Sequence, residues 1–137
     1  RQKLNAMGTE FKGKNILIVD DSVVRGTTSK EIVQMAKAAG ANKVTFTSAA
    51  PPVRFPHVYG INMPNRNELI AHNRTINQIE EELSIDKMVY QEVSDLEESI
   101  LIGSDVNNLD MSCFTGKYVT GTVTQEYLDW VESSYYS

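Results

Sequence analysis

Asn15 to Lys30 reads NILIVDDSVVRGTTSK, and this run decides the fold. Ile16 to Val19 is four consecutive apolar, largely β-branched residues. That pattern predicts a strand buried on both faces, as in a parallel sheet. Two adjacent carboxylates, Asp20 and Asp21, follow, and then a small polar loop containing Gly26. Thr28 and Glu31 have the spacing of a capping box. Ile32, Val33, Met35, Ala36 and Ala39 continue at helical spacing, and Gly40 is placed to stop that helix. Val44 to Ser48 is the next strand. Strand, helix and strand in this order form a right-handed βαβ unit.

The rest of the chain extends this pattern. Pro51, Pro52, Pro56 and Pro64 punctuate a long connection, within which Val58 to Ile61 reads as a short strand. Asn65 and Glu68 cap a short helix carrying Leu69 and Ile70. Thr75 and Gln78 form a second capping box, with Ile76, Ile79 and Leu83 on one face. Met88 to Tyr90 is a strand, and Ser94 and Glu97 open a helix with Leu96, Ile100 and Leu101. Residues 103–121 are irregular. A last helix runs from Gln125 to about Ser133, with Tyr127, Leu128 and Val131 inward. Alternating strands and helices predict an α/β fold with a mainly parallel sheet.

The 137 residues suit one domain, and their 41% apolar and 23% charged content is that of a globular protein. A net charge of −5 gives no general case for nucleic-acid binding. No apolar run reaches the roughly 18 residues of a membrane span. Arg1 to Asn5 lacks the apolar core of a signal peptide. The one cysteine, Cys113, rules out an internal disulfide framework and fits a reducing cytoplasm. The chain opens without Met, as a fragment would.

Ligands of open α/β sheets bind beyond the carboxyl ends of the strands, where Asp20 and Asp21 fall. Adjacent like charges need a partner, and a pair of sugar hydroxyls, with or without Mg²⁺, supplies one. The loop from Ser22 to Thr27 leads into a helix N-terminus, where unpaired N–H groups and the dipole favour an anion. Gly26 lets the backbone approach a phosphate, and Thr27, Thr28 and Ser29 add hydroxyl donors. A ribose phosphate satisfies both halves of the segment.

Val19 to Thr28, VDDSVVRGTT, resembles the phosphoribosylpyrophosphate-binding signature of type I phosphoribosyltransferases. Four further segments are similar to the glutamine phosphoribosylpyrophosphate amidotransferase family: RQKLN at 1–5, SAAPPVRFPHVYGINMP at 48–64, ELIAH at 68–72 and CFTGKYV at 113–119. The resemblance runs from one end of the chain to the other. It implies the C-terminal portion of a phosphoribosyltransferase domain, with a glutaminase domain lying outside residues 1–137. In that family, ammonia released from glutamine attacks the sugar's anomeric carbon, pyrophosphate leaves, and 5-phosphoribosylamine opens purine synthesis. Mg²⁺ neutralises the departing pyrophosphate, so positioning and electrostatic clamping supply most of the catalysis.

Carried over by position, Asp20 and Asp21 would hold the ribose hydroxyls and Mg²⁺. Ser22, Val24, Arg25, Gly26, Thr27 and Thr28 would hold the 5-phosphate. Lys3 matches the catalytic-loop lysine that approaches the pyrophosphate, and Leu69 matches a leucine that walls the ammonia path. The resemblance also implies purine nucleotide feedback inhibitors and a homo-oligomer, a tetramer, for the full-length protein. The 137 residues alone are expected to turn over little or no substrate. Cluster-bearing members hold iron and sulfur with four cysteines. Here two of those positions are His57 and Asp110, and Cys113 alone cannot hold a cluster, so no iron–sulfur cluster is expected.

The remaining polar residues read as structural. His57 and His72 serve as loop and capping groups, Arg54 is a solvated arginine, Glu80 to Glu82 is a solvated helix face, and Trp130 packs the last helix against a neighbour. Two rival readings stand beside the main one. A purine base phosphoribosyltransferase would use a ring nitrogen as nucleophile, and the 48–64 segment speaks against it. A non-enzymatic sensor of phosphoribosylpyrophosphate would keep the 5-phosphate loop but carry a basic face for DNA, against which the pI of about 5.0 argues.

Overall fold

The computed structural model describes residues 8–61 and 65–134. A short helix, α1 (Gly8–Phe11), leads into three parallel strands: β1 (Asn15–Asp20), β2 (Lys43–Ser48) and β3 (Lys87–Tyr90). The sheet order is β1-β2-β3, so β2 is central. Ile18 lies beside Phe46, and Phe46 beside Met88; at the carboxyl ends Asp20 lies beside Ser48, and Ser48 beside Tyr90. Helix α2 (Thr27–Ala38) connects β1 to β2. A 3₁₀ turn (Arg66–Glu68) and α3 (Ile76–Leu83) lie between β2 and β3. The alternation expected from the sequence is present.

The core lies on one side of the sheet. Val44, Phe46 and Met88 from the strands meet Val33 and Ala36 of α2 and Ile79 and Leu83 of α3 in one buried cluster. The opposite face is open: Leu17 is 62% and Val19 69% exposed. Among the described residues, β1 is therefore covered on one face only. The physical reason is that α2 and α3 pack on the same face, so the period-2 alternation of a strand leaves every second β1 side chain uncovered.

Helix ends show which local signals hold. Thr75 and Gln78 form the expected capping box: the Thr75 hydroxyl accepts from the Gln78 N–H, and Gln78 Oε1 accepts from the Thr75 N–H. Gly40 closes α2 with φ 88°; its N–H reaches Lys37 O and the Ala41 N–H reaches Ala36 O, completing a Schellman motif. Other expectations fail. Helix α2 starts at Thr27 with Gly26 as N-cap, so Thr28 lies inside the first turn and caps nothing. Asn65 caps only the 3₁₀ turn, which ends before Leu69; Leu69 is extended and buried. The acidic run is not simply solvated: Glu80 accepts from the Met88 N–H at 2.8 Å, and Glu82 pairs with Lys30 at 2.9 Å.

After β3 come α4 (Val93–Leu101), a one-turn helix α5 (Ser112–Thr115) and α6 (Gln125–Ser134). Val58 to Ile61 forms no strand. The proline-rich stretch is ordered instead by distant partners: Arg54 and Phe55 donate their N–H groups to Cys113 O, and Tyr118 donates its hydroxyl to Pro56 O at 2.7 Å. On α6, Leu128 is buried but Tyr127 is exposed, its ring 5.9 Å from that of the exposed Trp130. Arg66 ties α6 to the 3₁₀ turn through Asp129 and Glu132.

Tyr90 offers a direct stability test. Its hydroxyl is buried without a hydrogen-bond partner among the described residues, and burial pushes its pKa up to about 12, against a small opposing pull from Arg54. An orphaned buried hydroxyl costs free energy that a phenyl ring does not. Tyr90→Phe is expected to raise the unfolding free energy by about 1 kcal/mol in urea titrations; a loss of stability would mean the hydroxyl is bonded in solution.

Candidate active site at the carboxyl end of the first strand

Strand β1 delivers Asp20 and Asp21 to the carboxyl edge of the sheet. Ala49 and Ala50 donate their N–H groups to Asp20 O and Asp21 O, which fixes the chain at that edge. Asp20 Oδ1 accepts from the Asp21 N–H at 3.0 Å, and Asp21 Oδ1 accepts from the Ser22 hydroxyl at 2.7 Å. Each carboxylate keeps its second oxygen without a hydrogen-bond partner among the described residues.

Immediately downstream, Ser22 and the run from Val24 to Ser29 line a concavity of about 210 Å³. Gly26 makes it possible. At φ 78° it turns the chain into α2, and a Cβ there would lie 2.4 Å from Ile70 Cδ1. The first intrahelical bond of α2 runs from the Lys30 N–H to Gly26 O. The N–H groups of Thr27, Thr28 and Ser29 precede it and meet no side-chain cap. A helix N-terminus left open in this way, beside exposed threonine hydroxyls, suits an anion.

The geometry thus brings together Ser22, Val24, Arg25, Gly26, Thr27 and Thr28, all expected from the sequence. Asp20 and Asp21 adjoin this hollow through the Ser22–Asp21 bond but do not line it. Lys3 lies outside the described residues. No cluster of three or more His, Cys, Asp or Glu side chains suited to a metal occurs among the described residues. Two hard carboxylates nevertheless fit Mg²⁺, which usually takes one or two protein carboxylates and completes its shell with water and substrate phosphate.

Two groups missed by the sequence reading surround the loop. Glu68 accepts from Arg25 Nε at 2.8 Å, across 43 residues. Ile70 donates its N–H to Val24 O at 2.9 Å. No local sequence signal marks either contact. Arg54 is not solvated; its Nη1 donates to Ala71 O and Arg74 O and holds the segment that carries these residues. His72 Nδ1 lies 2.7 Å from Arg54 O.

A second polar cluster lies among the irregular segments. His57 Nε2 and Asp110 Oδ2 are 2.9 Å apart, and His57 is largely buried. Burial raises the Asp110 pKa, but Ser112 and His57 outweigh it and hold the carboxyl below its usual value. The Ser112 N–H donates to Asp110 Oδ1 at 2.9 Å; the Ser112 hydroxyl, though buried nearby, closes no hydrogen bond, so the N–H is the contact that counts. Cys113 is half-buried, and burial, reinforced by Asp110, pushes its thiol up. A depressed carboxyl contributes stability above its unfolded value of 3.8, and this is lost as pH falls through the lower folded value. Asp110→Asn is expected to remove that part of the acid dependence, read as a flatter unfolding free energy below about pH 4.

No protein-family model matches the chain. It is 51% identical over 130 residues to the amidophosphoribosyltransferase of Haemophilus influenzae, covering 94% of this chain and 26% of that protein. The chain matches the C-terminal segment of amidophosphoribosyltransferases. Among solved structures, a glutamine phosphoribosylpyrophosphate amidotransferase from Bacillus subtilis, complexed with ADP and GMP, superposes with a TM-score of 0.76 at 39% identity. That match covers 87% of this chain and 27% of the other. A structure described as the allosteric regulatory enzyme of purine biosynthesis superposes at 0.80 with 37% identity, covering 96% and 29%. The chain therefore spans about a quarter of the amidophosphoribosyltransferases it matches, over their C-terminal part. Its α/β sheet is that of the phosphoribosyltransferase fold. The two rivals, a base-using transferase and a DNA-bound sensor, are not favoured. No helix among the described residues is long and apolar enough to cross a membrane.

Proposed function

We propose that this chain forms the ribose 5-phosphate half of an amidophosphoribosyltransferase active site. The observation that carries the reading is the hollow between Ser22 and Ser29, with uncapped N–H groups and exposed threonine hydroxyls beside two carboxylates. In this reading Thr27, Thr28 and the first-turn N–H groups of α2 hold the 5-phosphate. Asp20 and Asp21 hold the ribose hydroxyls through their uncommitted oxygens and supply the protein ligands to Mg²⁺. The metal, when bound, neutralises charge on the departing pyrophosphate. The protein groups orient the sugar so that its anomeric carbon faces ammonia, and an oxocarbenium-like transition state is stabilised by fixed charge rather than by a side-chain nucleophile.

The complete enzyme would combine this half with a glutaminase domain, the catalytic-loop lysine matched by Lys3, and the pyrophosphate-binding groups. It would act in the cytoplasm and, as an oligomer, answer to purine nucleotides. The test is calorimetric titration of the chain with ribose 5-phosphate, with and without Mg²⁺, together with turnover by the complete polypeptide. The reading requires ribose 5-phosphate binding that Asp20→Asn weakens. It also requires phosphoribosylpyrophosphate consumption with ammonia as sole nitrogen source. Consumption only with adenine or guanine would replace it with the base-using alternative. Binding without turnover would replace it with the sensor.

A further inference from the structure

Arg25 stands in the middle of the phosphate loop, and its side chain is held from outside the loop, by Glu68. Its neighbours are pinned through their backbones. Val24 O accepts from the Ile70 N–H, and Gly26 is wedged against Ile70 Cδ1 and Leu83 Cδ2. The Arg25 side chain between them is exposed, and its hydrogen bond runs from Nε to Glu68 Oε2 at 2.8 Å. The two terminal nitrogens of the guanidinium have no hydrogen-bond partner among the described residues. A planar guanidinium held at Nε presents its remaining N–H groups in a fixed fork, and that fork matches phosphate oxygens.

We infer that Glu68 is a positioning residue: it orients Arg25 so that the free end of its guanidinium binds the phosphate seated in the loop. The inference rests on the ribose 5-phosphate reading above. As a surface ion pair the contact contributes little to stability, because solvent screens it and two long side chains must be ordered. Its consequence for binding is larger, because a pre-oriented arginine loses less rotamer freedom when the anion arrives. Two effects of Glu68 oppose each other. Its negative charge near an anion weakens binding, whereas its oriented acceptor strengthens it. The charge effect is weakened by solvent and salt while the orientation persists, and the inference requires that the orientation outweigh the charge at physiological salt.

The two effects separate in one experiment on the full chain, by titrating ribose 5-phosphate at about 0.15 M salt. Glu68→Ala removes charge and acceptor, and the affinity is expected to fall about tenfold, or roughly 1.4 kcal/mol. Glu68→Gln removes the charge but keeps an acceptor of the same reach, and is expected to bind within about twofold of the unaltered chain. In an Arg25→Met background, Glu68→Ala should have no further effect, since Glu68 acts through Arg25. Thermal unfolding of each variant within about 2 °C of the parent excludes misfolding. Unchanged or tighter binding by Glu68→Ala overturns the inference, as does an additive loss on top of Arg25→Met. If the unaltered chain fails to bind ribose 5-phosphate, the functional reading itself falls and this inference falls with it; binding with an indifferent Glu68 sinks this inference alone.

Discussion

Gly26→Ala is expected to lower the unfolding free energy by about 2–5 kcal/mol and to abolish measurable ribose 5-phosphate binding. Two separate costs add. A left-handed backbone with a Cβ costs about 1–2 kcal/mol, and φ at Gly26 is 78°. The new Cβ also meets Ile70 Cδ1 at 2.4 Å. That methyl ends a flexible side chain, but Ile70 is 3% exposed and sits in the core cluster, so its rotation displaces other packed groups. Gly13→Ala is the natural control. It has φ 72° and nothing within 4 Å of the added carbon, so it carries the backbone cost alone. If the two variants unfold at the same denaturant concentration, the contact with Ile70 is unimportant. The loss of binding follows because either adjustment moves the first-turn N–H groups of α2 away from one another.

Phe46→Ala should be the most damaging single substitution in the core, at about 3–5 kcal/mol. Phe46 is fully buried on the central strand, between Ile18 of β1 and Met88 of β3. It lies in the single cluster that joins the sheet to α2 and α3. Whole domains are stable by only about 5–15 kcal/mol, so a cavity at this place consumes a large part of that margin. Phe46→Leu preserves most of the volume and is expected to cost less than half as much. Chemical denaturation of the two variants checks both values. A Phe46→Ala loss below about 1 kcal/mol would mean that α2 and α3 collapse into the space left by the ring.

The contrast between these sites mirrors what could be read from residues alone. The three strands, α2 and α3 follow from apolar periodicity, and the Thr75–Gln78 capping box and the Gly40 stop follow from local hydrogen bonding. Those signals act within a few residues and survive in the fold. Helix α2 starts two residues before the position its capping-box spacing predicts, because two local signals compete. Thr28 with Glu31 looked like a cap, but Gly26 beside Ile70 was the position only a glycine could fill. The partner that decided the matter is 44 positions away by residue number and invisible to a local pattern. Val58 to Ile61 forms no strand for a related reason: Tyr59 is held through its N–H on His57 Nδ1 and through its hydroxyl beside Thr120, 61 positions away, rather than by strand pairing.

By itself, the sequence determined the carboxylate pair at the end of an apolar strand, the glycine-containing loop after it and the kind of ligand that combination suits. The reason is that a backbone turn, a helix N-terminus and a side-chain charge are set by neighbours along the chain. Only the tertiary structure decided that α2 and α3 pack on the same face of the sheet, against Val44, Phe46 and Met88. It alone showed that Glu68 grips Arg25 and that His57 meets Asp110. Those outcomes depend on which distant segments the chain brings together when it reverses, and no residue's own chemistry carries that information.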